Sequence, residues 1–164
     1  MRRILPLCAI GVNLWWAVAA ASQAPNAGAL SGALRAHVQD EQFQVVTSIR
    51  GLPLGVRDQL QRLFGSRTLD TAIAEPGAEF QKTDVVVNRR LPARRLVAAG
   101  CSNDHHCLVY YEHGGSELTW RIALFHWTPT ETKFEGGGAA PGGLATVDDV
   151  RRAILDGWVE ASFW

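Results

Sequence analysis

Apolar positions change their spacing twice along this chain. Leu30, Leu34 and Val38 recur every fourth residue, which is one face of a helix opening near Ser31. The next stretch, FQVVTSIRG from residue 43, carries two signals at once. Val45, Val46, Thr47 and Ile49 favour a strand, while Phe43, Val46 and Ile49 at three-residue spacing continue a helix. The three-residue spacing is read as helix. Gly51-Leu-Pro53 breaks the chain, and Val56, Leu60, Leu63 and Phe64 then mark a second amphipathic helix, with Gly65 placed as its C-terminal stop. Residues 66–82 have no period and read as loop.

From Lys82 the period shortens to two. DVVVN (84–88), RRLVAAGC (94–101), CLVYYEH (107–113), ELTWRIALFHW (117–127) and the weaker TKFEGG (132–137) read as strands. In the longest run Leu118, Trp120, Ile122 and Leu124 share one face. The links SNDHH, HGGSE and TPTE are too short for parallel crossovers, so these strands pair as an antiparallel meander. GGGAAPGG (136–143) reads as a flexible turn region. Thr146 and Asp149 then form a capping-box-like start for a helix over 147–155, with Val147, Val150 and Ile154 facing a core and Gly157 ending it. The expectation is an α+β fold: a meander of about five strands with helices packed on one face, and one hairpin loop closed by a disulfide.

The N-terminus changes how the composition is read. Arg2 and Arg3 precede an apolar run over 4–21, followed by small residues up to Ala24. This is the pattern of a secretory signal peptide, cut after Ala21 or Ala24. Residues 1–24 are therefore read as the leader and 25–164 as a single domain. The expected location is periplasmic or secreted, with no membrane span after cleavage. Without Arg2 and Arg3, the 16 acidic residues outnumber the remaining 14 basic ones. No basic surplus points to nucleic acid or to an anionic membrane. Of the three cysteines, Cys8 falls in the leader, leaving Cys101 and Cys107 as an even pair in an exported chain. Such a pair reads as a disulfide.

That pair brackets Ser102, Asn103, Asp104, His105 and His106. Closing so short a loop is worth roughly 2–3 kcal/mol in the chain-entropy model and stiffens its tip. A metal reading would use His105 and His106 with Asp104 or His113. However, adjacent histidines in an extended stretch point opposite ways, and oxidised cysteines offer no thiolate. Neither a metal nor a cofactor is expected on this count. Ser102, Asp104 and His105 have the atoms of a triad but no supporting motif, so no catalytic residue is assigned. A stapled, solvated turn without a role is the plainest reading.

The loop C-S-N-D-H-H-C resembles the C-K-P-H-D-C loop of the Ivy-type periplasmic inhibitors of vertebrate lysozyme. The layout is similar over roughly residues 43–155, with Leu52-Pro53 after a helix, Leu124-Phe125 in a strand after the loop hairpin, and a helix after the sheet. The resemblance implies a protein partner, c-type lysozyme, whose cleft the loop occludes. It also implies a homodimer. Counted back from Cys107, the family histidine falls on His105. His105 is then the plug, with His106, Asp104, Asn103 and Ser102 as flanking contacts and the Cys101–Cys107 bridge as stiffener. Tyr110, Tyr111 and Trp127 are assigned to core packing before contact. The alternative is an exported metal- or small-ligand-binding domain using the His105/His106 loop.

Overall fold

The computed structural model describes residues 31–85 and 88–160, so the segment 1–24 that was read as a leader lies outside the described residues. Five strands form one antiparallel sheet in the order β1 (Phe43–Val46), β2 (Arg94–Ser102), β3 (His106–His113), β4 (Thr119–Trp127) and β5 (Thr132–Ala140). Three helices accompany it: α1 (Gly32–Asp40), α2 (Leu54–Leu63) and α3 (Val147–Leu155). The α+β meander is as expected from the sequence. Among the described residues, no helix is long and apolar enough to cross a membrane.

Side chains alternate across the sheet, and both faces are covered. Cys107, Val109 and Tyr111 of β3 pack with Ala123 and Phe125 of β4 against Val56 and Leu60 of α2. Leu108 and Tyr110 pack with Ile122 and Leu124 against Val38 of α1 and Val150 and Ile154 of α3. This differs from the expectation of helices on one face, which holds only for α1 and α3. The reason is that β3 is apolar on both sides, its residues His106 to Glu112 all being buried. A strand of that kind needs cover on each face.

The capping box at the start of α3 forms: the Asp149 amide donates to Thr146 Oγ1 (3.1 Å) and the Thr146 amide donates to the Asp149 carboxylate (3.0 Å). Helix α2 ends as expected, with Gly65 in the left-handed region at φ 62°.

Three elements depart from the sequence reading. FQVV is strand β1, not helix, because α1 stops at Asp40 and Phe43–Val46 pairs antiparallel with residues 99–102 of β2. That pairing occupies the edge that DVVVN would have needed. Asp84 and Val85 are instead exposed bends, beside a lone bridge from Thr83 to Gly115, while 86 and 87 lie outside the described residues. The glycine run is the third departure: Gly136–Gly138 belongs to β5 rather than to a loose turn. At Gly137 a Cβ would fall 2.2 Å from the Ile122 carbonyl oxygen, so the close approach of β4 and β5 requires glycine there.

Candidate functional site

The β2–β3 hairpin ends in a short tip. Cys101 and Cys107 are directly paired across the two strands and joined by a disulfide, with Cα atoms 4.1 Å apart. Only Asn103, Asp104 and His105 lie between the strands, and all three are exposed. His105 has φ 71°, the only non-glycine left-handed residue among those described. A Cβ disfavours that conformation, which persists only where the surroundings impose it. Two hydrogen bonds do so here. The His105 amide donates to the Ser102 carbonyl at 3.4 Å, and the Trp127 amide on β4 donates to the His105 carbonyl at 2.7 Å. The His105 ring stands edge-on to Trp127, centroids 5.5 Å apart.

The tip is braced on both faces of the sheet. The disulfide lies on the α2 face, with Cys107 fully buried. Ser102 and His106 are 2% and 7% exposed and belong to the opposite face. There the Ser102 hydroxyl donates to Glu41 Oε2 and accepts from the His106 amide at 3.1 Å. The other carboxylate oxygen, Glu41 Oε1, lies 2.7 Å from Nδ1 of His37 and 2.7 Å from Nδ1 of His106. The rings of His37 and His106 stack with centroids 4.0 Å apart. Glu41 is held in place by α3. Arg151 donates to the carbonyls of Val38, Gln39 and Glu41 at 2.9–3.1 Å, capping the end of α1 from the side.

A cleft of about 620 Å³ opens beside this cluster, lined among others by His37, Asp104, His106, His126 and Glu135. His126 is the cross-strand partner of His106. Glu135 is an extra residue of β5: Leu124 pairs with Gly136 and Phe125 with Phe134, leaving Glu135 in a bulge. The bulge brings its carboxylate to 3.8 Å from His106 Nε2.

The structure thus divides the residues that the sequence grouped together. Asn103, Asp104 and His105 stay on the surface. Ser102 and His106, expected as partner contacts, are buried, because the hydroxyl and imidazole face Glu41 rather than solvent. Tyr110 and Tyr111 are core residues, and burial pushes the Tyr110 phenol up to about 12 and the Tyr111 phenol higher still. The metal set drawn from the sequence does not assemble either. His113 sits at the far end of β3 opposite Arg94, and burial, with Arg94 and Arg121 nearby, lowers its imidazole to about 4. What the sequence reading missed is the pairing of His37 with Glu41, four residues apart at the end of α1. Histidine and glutamate at that spacing on a helix do meet, and this was the available signal.

No family model, no curated protein and no solved structure matches this chain.

Proposed function

We propose that this chain is an exported binding protein, not an enzyme, that inserts its stapled tip into the cleft of a partner protein. The partner that its resemblance to the Ivy-type inhibitors points to is a c-type lysozyme, met in the periplasm or outside the cell. One observation carries the reading: His105 is exposed at the end of a disulfide-closed hairpin and held in a left-handed conformation by backbone hydrogen bonds to Ser102 and to Trp127 of β4. A strained residue kept at a solvent-facing tip costs stability and gives nothing to the core, which fits a binding role. The stiffness also removes much of the ordering cost that a loop incurs on binding.

The chemistry is that of a histidine between two carboxyl groups. A lysozyme cleft holds one carboxyl protonated as acid and one ionised. An imidazole between them can donate to the ionised group and accept from the acid. Asn103 and Asp104 flank the plug on the same exposed turn. Ser102, His106 and the disulfide support it from behind.

The test is inhibition of a c-type lysozyme by the oxidised protein. Binding that saturates near equimolar and weakens by about 2 kcal/mol or more in His105→Ala, with folding intact, supports the reading. Absence of inhibition at high micromolar concentration removes lysozyme as the partner. Wild-type affinity in His105→Ala removes the plug.

A further inference from the structure

We propose that His37, Glu41 and His106 form a binding site for a divalent transition-metal ion of the zinc class, set behind the hairpin tip and open to the adjacent cleft. The three side chains come from the last turn of α1, its C-cap and the start of β3. Their ligand atoms all lie within 4.8 Å of one another. Two imidazoles and one carboxylate are the ligand set that zinc takes where it keeps a fourth position open. Imidazole donors also favour zinc, copper or nickel over magnesium or calcium. No thiolate competes, since both described cysteines are in the disulfide.

The geometry is close to what an ion needs. Metal–ligand bonds of about 2.0–2.2 Å place the ligand atoms of a tetrahedral site about 3.3 Å apart. Both Nδ1 atoms are now 2.7 Å from Glu41 Oε1, so each of these two separations would widen by about 0.6 Å to admit the ion, and the third pair is already within 4.8 Å.

A second observation points the same way. His106 Nδ1 is buried and makes no hydrogen bond of acceptable geometry, although Glu41 Oε1 is only 2.7 Å away. The contact is close but misdirected for a shared proton, since hydrogen bonds weaken steeply when bent. A cation between the two atoms satisfies both.

The outer groups are also in place. Metal sites fix their ligands through a second layer of hydrogen bonds. Here Ser102 holds Glu41 Oε2, and the bulged Glu135 stands 3.8 Å from the outer nitrogen of His106. The cleft provides the entry path and room for a water or an exogenous ligand, with the His126 ring 5.3 Å from that of His106. This site is distinct from the exposed plug, so it stands or falls independently of the partner.

The experiment is zinc titration of the oxidised, chelator-treated protein by calorimetry, with cobalt(II) absorption as a report on coordination. One ion per chain at micromolar or tighter affinity is expected, with the strong visible absorption of tetrahedral cobalt. His37→Ala, a change at a half-exposed ring, should weaken zinc at least about tenfold while the protein stays folded. Glu41→Gln, which keeps the shape of the buried side chain, should weaken it likewise, and His113→Gln should leave it unchanged. Absence of stoichiometric zinc uptake would overturn the proposal and leave the cluster as a hydrogen-bonded brace. Uptake undiminished in both His37→Ala and Glu41→Gln would overturn it too, by placing the ion elsewhere.

Discussion

Replacing His105 by glycine and by alanine separates the backbone of the tip from its ring. Both substitutions delete the imidazole and its edge contact with Trp127 at 5.5 Å, so that loss, about 0.5 kcal/mol, is common to the pair. They differ in the backbone. At φ 71° alanine retains the clash between Cβ and carbonyl, and glycine does not. If the disulfide and the Trp127 hydrogen bond hold that conformation fixed, His105→Gly should be more stable than His105→Ala by about 1 kcal/mol. That corresponds to about 4 °C in melting temperature for a domain of this size. Urea denaturation of the oxidised proteins, followed by tryptophan fluorescence, measures the difference. Equal stability, or alanine the more stable, would mean that the tip relaxes to an ordinary conformation. The tip would then not be a pre-shaped plug.

Two further outcomes test the brace and the charge environment. Ser102→Ala removes the donor to Glu41 and leaves the buried His106 amide without its acceptor, so denaturation should register a loss of about 3 kcal/mol; a loss below about 1 kcal/mol would mean that the network behind the tip is not a brace. His113 is neutral in the fold, its imidazole lowered to about 4 first by burial and then by Arg94 and Arg121, whereas in the unfolded chain it protonates near pH 6.5. Its contribution is therefore complete above about pH 6.5, declines as the pH falls toward 4 and then levels off; discounted for the solvent that reaches a partly exposed ring it amounts to about 1 kcal/mol, and His113→Gln should flatten the wild-type slope across that window by this amount.

How much of this was legible depends on how local the signals were. Helix α3 could be read to its boundaries because the Thr146–Asp149 box and the spacing of Val147, Val150 and Ile154 agree. Strands β3 and β4 were legible from their apolar runs and short links. Strand β1 was not, since four residues satisfied both periods and only the free edge of β2 decided between them. Strand β5 was legible at its start, over 132–137, but not to its end at Ala140, because a glycine run reads as loop unless the close approach at Gly137 is known. At the site, the stapled tip was evident from Cys101 and Cys107. The brace was not, because Glu41 meets Ser102 and His106 only through the packing of α1 on the sheet, and Glu135 is aimed by a bulge. Tertiary contacts of that kind leave no periodic trace in the chain.

The rigid, exposed His105 is proposed as a plug for a lysozyme-type cleft. Its most direct test is a cell-wall clearing assay with a c-type lysozyme, titrated with the oxidised protein and with His105→Ala. Inhibition should be complete near one equivalent for the wild type, with the variant at least about thirtyfold weaker. Full lysozyme activity in the presence of excess wild-type protein, or equal inhibition by the variant, would contradict it.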